Sequence, residues 1–375
     1  MQNRLNQIVS MNRNAFLGLL MGMIFFIPTH FLVAQGYNAY HNFSNDFVVF
    51  QNGRKKKVEY TAVLLSRIGG NSVGYVTNMG LFKIYSDGAV IDTRLSNPSR
   101  IINTDYFLTV QVGQQIKAFD KGRLRTVTNW ATTYKVGDSI IVYFDEVKND
   151  FNAYYNSKNY TLEENVAGSG NFLFRVGDNI MGYVDNNFDF KAFYQGKTYR
   201  LSEAFGVERF GIGKNIIAYF DNNTGVFNTF YRGKVDMLEA IEPDNYFVGD
   251  DMVAYNSNNG VFKVFYQGQI MALGAFEPED VFIKDNILTY NQDGAYKLFY
   301  KGKVYSLGQF IPTNFKADFN TFVYINEYNQ LEGFVEGEKK VITREVILDY
   351  SVNQSTISYR TLNGSTKIYY KGETY

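Results

Sequence analysis

Beyond residue 35 the chain keeps one histidine, His41, and it has no cysteine anywhere. Cysteine nucleophiles, thiolate metal sites, iron–sulfur clusters and disulfides are therefore out of reach. A Ser-His-Asp relay or a histidine-rich metal site would have to be built on His41 alone, which follows Tyr40 at what reads as a strand end. Carboxylates are numerous, but they fall where turns need them. Asp178, Asp250 and Asp285 precede one strand of a recurring unit, and Asp185, Asp221 and Asp293 sit in the turn that follows it. Asp in such places usually accepts local backbone N–H groups. The loops 145–150 and 185–189 are Asp-rich yet lack the spaced ligands and closing Glu of a calcium loop. No phosphate-cradling glycine loop or metalloprotease helix motif occurs. The expectation is no catalytic residue, no metal and no cofactor. Paired acids for glycoside cleavage could still converge from separate units, and that is the enzymatic alternative.

Whatever positions these side chains is a repeat. Short turns recur at Gly53, Gly88, Gly122, Ser157, Gly196, Gly233, Gly268, Gly302, Gly337 and Gly372, spaced 34 to 39 residues apart. Three residues before each stands an aromatic: Phe50, Tyr85, Phe119, Tyr154, Phe193, Phe230, Phe265, Phe299, Phe334 and Tyr369. Twelve to fourteen residues before each turn a Tyr recurs, with Thr109 the exception, and five residues after it an apolar residue such as Val127, Leu238 or Leu307. Pro98, Pro243, Pro278 and Pro312 each follow a turn by ten residues. These coincidences define ten tandem units between residues 36 and 375.

One unit reads as four short strands. From Asn245, Tyr246–Val248 is a strand and Gly249-Asp250 a turn; Met252–Tyr255 is a second strand, ended by Asn256-Ser257-Asn258-Asn259-Gly260. Val261–Tyr266 alternates apolar and polar as a third strand should, Gln267-Gly268 makes a two-residue hairpin, and Gln269–Leu273 is the fourth. The Phe265 series then belongs to the repeat core. Tyr155, Tyr194, Tyr231, Tyr266, Tyr300 and Tyr370 occupy the next position and face the other way, either into a neighbouring sheet or out as a stacking surface for sugars. Unit one starts at its second strand and unit ten stops just past its third, so complementing strands from the two ends would close a ring; an open array or two five-unit rings are the alternatives.

The layout of tandem four-stranded β units resembles that of β-propellers such as the WD-repeat and TolB-like families, without the WD dipeptide. The resemblance implies an all-β ring that works by protein–protein association. The propeller likeness covers all ten units.

Arg4 and Arg13 precede an apolar run from Ala15 to Ala34, which predicts a secretory signal peptide over 1–35; an uncleaved anchor is the alternative. The ending Val33-Ala34-Gln35 resembles signal peptides of Gram-negative bacteria that use type IX secretion. With no lipid-attachment Cys and no residues after unit ten for a second export signal, the expected address is the periplasm. There the protein would plug, cap or otherwise dock on an outer-membrane translocon. The balance of 37 Lys+Arg against 37 Asp+Glu argues against nucleic acid. Residues 36–135 carry 13 bases against 6 acids, and residues 136–375 carry 22 against 31. Arg54, Lys55, Lys56 and Lys57 are the densest basic cluster and read as having no counterpart in later units, which suggests a docking edge for an acidic partner or a protective strand edge.

Overall fold

The computed structural model describes residues 36–166 and 173–375. The signal peptide expected over 1–35 lies outside the described residues. Ten antiparallel sheets follow one another, and none pairs by hydrogen-bonded strands with the next. Numbered as blades, they span 37–59, 63–96, 100–128, 134–163, 174–202, 210–239, 246–274, 279–308, 315–343 and 347–374. Nine have four strands in sequence order. In blade seven these are Tyr246–Val248, Met252–Asn256, Phe262–Tyr266 and Gln269–Gly274, within a residue of the expected limits.

Local chemistry explains the meander. Gln267 and Gly268 both take positive φ (50° and 88°), the pair of values a two-residue hairpin with the right strand twist requires. Just before the fourth strand ends, its register slips: Phe262 pairs with Gly274 but Lys263 with Ala272, leaving Leu273 as the bulged residue. The same slip singles out Val58, Val127, Leu162, Leu238 and Ile342. The apolar residue five places after each turn is thus a bulge residue; Val127, Leu238 and Ile342 are buried.

All ten aromatics of the Phe265 series are buried. The tyrosines beside them face a neighbouring blade. Tyr155, Tyr194, Tyr231, Tyr266 and Tyr300 each set an edge against the ring of Phe193, Phe230, Phe265, Phe299 and Phe334 in the following blade, at centroid separations of 6.2, 6.2, 5.6, 5.4 and 5.4 Å. Tyr370 of blade ten makes the same contact with Phe50 of blade one at 5.7 Å. Each such pair contributes about 0.5–1.5 kcal/mol beyond the area it buries.

That last contact closes the ring, by a route other than strand complementation. Blade one has three strands among the described residues, Tyr37–His41, Phe47–Gln51 and Arg54–Glu59, and no strand of blade ten joins it. Blade ten instead packs its face on blade one. Thr356 Oγ1 donates to the Tyr37 carbonyl at 2.9 Å, Tyr370 Oη to Asn52 Oδ1 at 3.1 Å, and Phe50, Ile368 and Tyr370 form one buried cluster. The ordinary blade-to-blade interface suffices, so no shared strand is needed.

The ring has two ends of different construction. Turns between first and second strands and hairpins between third and fourth share one end: the hairpin residue Arg232 meets Asp251, in the first turn of the next blade, at 2.7 Å. Turns between second and third strands share the other end with the blade-to-blade linkers, where Phe188 stacks on Phe205 at 4.3 Å. These are called below the hairpin face and the linker face.

Candidate functional site

At the hairpin face the first turns of successive blades stand shoulder to shoulder around the axis. Ser139 N donates to the Asp178 carbonyl at 2.8 Å, Asn179 N to Lys214 at 2.9 Å, Lys214 N to Asp250 at 2.9 Å and Asp250 N to Asp285 at 2.8 Å. Side chains trace a second ring, from Ser139 to Asn179 at 2.7 Å, Asn179 to Asn215 at 2.9 Å and Asn215 to Asp251 at 2.9 Å. Asn353 Nδ2 of blade ten reaches both the Tyr37 carbonyl (2.9 Å) and the Gly69 carbonyl of blade two (3.4 Å), so it ties three blades together at the closure. This spacing requires glycine. A Cβ on Gly177 would lie 1.8 Å from the Gly213 carbonyl oxygen, and one on Gly213 1.6 Å from that of Gly249.

The turns bring Asp105, Asp138, Asp178, Asp250, Asp285 and Asp318 toward one axis, with Lys214 among them. Lys214 Nζ lies 3.4 Å from Asp138 and 3.7 Å from Asp178. It also sits 6.0 Å from the ring of Tyr106 in blade three and 5.7 Å from that of Phe319 in blade nine. Side chains from three widely separated blades thus meet near the axis. Burial, then repulsion from Asp138, pushes Asp105 up to about 7. Burial and Asp178 push Asp138 up to about 7. Burial raises Asp178 to about 6 against the pull of Lys214, and it holds Asp250 well above the carboxylate range. For Lys214 itself burial works downward, but Asp250, Asp138 and Asp178 outweigh it and its pKa is raised.

Asp178, Asp250 and Asp285 therefore do more than satisfy their own turns. The correction has a simple cause: a ring repeats the same turn around one axis, so acids that are distant in sequence become neighbours. Of the acids in the opposite turns, Asp185 and Asp221 accept backbone amides of their own loops. Asp185 Oδ1 accepts from Asn187 N and Asp189 N at 2.8 Å, and Asp221 Oδ1 from Asn223 N at 3.1 Å. Among the described residues no group of three His, Asp or Glu side chains is placed to hold a metal ion. His41 is exposed, and its Nε2 accepts the Val63 amide at 3.2 Å. Lys214, Asp105, Asp138 and Asp318 escaped the sequence reading, although aligning the first turns of the units would have shown an acid there in most and Lys in one.

Arg54–Glu59 is the outermost strand of blade one, and Arg54 to Lys57 are all exposed. Alternation divides them between its faces. Lys56 Nζ crosses to blade two, donating to the Gly88 carbonyl at 2.6 Å and lying 5.8 Å from the Tyr85 ring. Lys55 lies over Tyr40, and Lys57 is held by Asp46 at 2.6 Å. Arg54, Lys55 and Lys56 line an open groove of about 740 Å³ with Gln51, Asn52, Tyr85 and Asp87. Counterparts do exist for its first member. Arg123, Lys158, Lys197, Lys234 and Lys303 begin the fourth strand of their blades, so a basic residue there is part of the repeat; only the run of four is particular to blade one.

Several solved structures are weakly similar to this chain. The computationally designed protein Ika8 is 16% identical with a TM-score of 0.34, covering 72% of this chain and 95% of its own. PorZ, a surface component of the type IX secretion system of Porphyromonas gingivalis, is 9% identical with a TM-score of 0.29, over 82% of this chain and 51% of that one. Yeast RCC1 (Prp20), solved bound to Kap60, is 8% identical with a TM-score of 0.32, over 55% and 70%. At such values none of them carries a function across. No curated protein matches the sequence. A family model does: that of the 10-bladed β-propeller domain matches residues 31–375, and the chain belongs to that family.

Proposed function

We propose that this ten-bladed ring is a non-enzymatic binding scaffold of the periplasm, docking on an outer-membrane protein-secretion translocon as a plug or cap. The observation that carries the binding role is the basic groove between blades one and two. Three exposed cations line it, and Lys56 is already held across the blade boundary. Such a groove suits an acidic segment of a partner, because exposed cations steer encounter through fields that reach about 8 Å at physiological salt. The address rests on the basic and apolar character of residues 1–35. Replacing Arg54, Lys55 and Lys56 together by Glu tests the role. Association with solubilised envelope complexes should slow and lose its dependence on ionic strength, while melting stays unchanged. Unaltered association would remove the groove from the account.

A second reading, glycoside cleavage, keeps one observation in its favour: carboxyls near neutral pKa are what general acid catalysis needs, and Asp105 and Asp138 have them. Hydrolysis of a glycan panel that disappears in Asp138→Asn would establish it over the scaffold reading.

A further inference from the structure

The large apolar side chains left exposed are distributed unevenly. More than half lie in the connections of the linker face, and among the described residues none lies in those of the hairpin face. Phe43 (77% exposed), Met79 (80%), Phe276 (69%) and Tyr328 (73%) lie on the arc that runs from blade seven through the closure to blade two, and Trp130, Phe205 and Ile241 stand in the linkers after blades three, five and six, so the set as a whole rings the face. Scattered single exposures are normal on a protein surface, but a set gathered on one face marks an interaction site.

The same connections are acidic. Glu146, Glu164, Glu208, Asp244, Glu277 and Glu327 are exposed there, and no ion pair engages them among the described residues. Lys148, Arg209 and Arg344 are the bases in these segments, and Arg209 is held by Glu242 at 2.7 Å. The linker face is therefore apolar and negative together.

A second copy of this chain does not match it. Two linker faces brought together would pair apolar with apolar but set acid against acid. A hairpin face offers Lys121, Arg123, Lys301 and Lys303 at its rim but no large exposed apolar side chain in its connections. An anionic membrane surface is repelled by the acids. We infer that the linker face is a docking platform for a different protein, one that presents apolar side chains interspersed with Lys or Arg. The inference rests on reading the chain as a protein-binding ring, but it uses the end opposite the first-turn ring and none of the groove residues.

The test uses the purified full-length protein and a defined probe, a synthetic amphipathic helix of Leu and Lys, titrated by fluorescence anisotropy. Phe43→Ser, Met79→Ser, Phe276→Ser and Tyr328→Ser combined should weaken binding by about tenfold or more, a loss of about 1.4 kcal/mol. Glu208→Gln, Asp244→Asn and Glu277→Gln combined should weaken it at low salt and not at high salt. Melting curves should match the wild type, since every altered side chain is exposed. Four results overturn the inference: binding unchanged in both variants; equal binding of a Leu and Glu helix; phosphatidylcholine vesicles captured by the wild type but not by the apolar variant; or a self-association that the apolar variant abolishes. If the platform fails while the groove variant still slows association with envelope complexes, the scaffold reading stands without this face.

Discussion

Lys214 is the cation that Asp138, Asp178 and Asp250 share, and Lys214→Met tests that directly. Methionine keeps the length and removes the charge. A carboxyl that loses its counter-ion can escape by taking a proton, at 1.36 kcal/mol per pKa unit, and this caps the damage. Asp105 and Asp138 already stand near 7, so at about pH 7.5 each has little further to rise. Asp178, near 6, has more room. Together the three limit the loss to about 3 kcal/mol at about pH 7.5, the low end of what breaking a buried ion pair costs. With about 2.1 cal/mol/K of unfolding entropy per residue over roughly 340 residues, 1 kcal/mol moves Tm by about 1.4 °C, so the expected fall is about 4 °C. The pH dependence fixes the cause. These acids have folded pKa values above their unfolded ones, so the native state binds more protons, and stability from this source rises as pH falls from about 7 toward about 4. At about pH 5 the three are largely protonated in the wild type as well, and the variant should fall short by less than about 1 kcal/mol. Scanning calorimetry of both proteins at the two pH values measures this. An equal deficit at both, or none at either, would refute the electrostatic account of the ring.

Phe265→Ala or Phe299→Ala should cost about 3–5 kcal/mol in denaturant unfolding, because each is fully enclosed between blades; an unchanged midpoint would contradict the packing. Gly213→Ala should destabilise at least as much, since its Cβ would meet backbone and not a movable side chain; a neutral result would show that the first turns are farther apart than described. Asn38→Cys with Thr356→Cys, whose side chains approach to 3.4 Å across the closure, should form a disulfide in a chain otherwise free of cysteine, and a persistently free thiol pair would argue for an open ring. Exhaustive dialysis against a chelator should leave Tm where it was, and a drop of many degrees would reveal a structural cation.

Architecture was legible because a repeat multiplies weak signals. Ten turns with an aromatic three residues earlier located the hairpins and the third strands, and both agree with the paired registers. The apolar residue five places on was visible as a pattern, though its reason, a bulge, is a matter of register that residue types do not show. The axial ring stayed hidden because it joins positions such as Asp105, Lys214 and Phe319 that only closure makes neighbours. Exposure of Tyr266 was open from the sequence, since alternation says which way a side chain points but not whether a neighbouring blade stands there. The closure itself departed from the expected strand exchange because Tyr370 and Phe50 repeat the contact used everywhere else in the ring.

The claim that matters most is that the ring acts by binding another protein. Affinity purification of the tagged wild-type chain from detergent-solubilised envelopes, followed by mass photometry, measures it in one step. A discrete species heavier than the 43.0 kDa chain is expected, one that contains an outer-membrane protein and is diminished when Arg54, Lys55 and Lys56 are replaced by Glu. Recovery of the free chain alone, from wild type and variant alike, would contradict it.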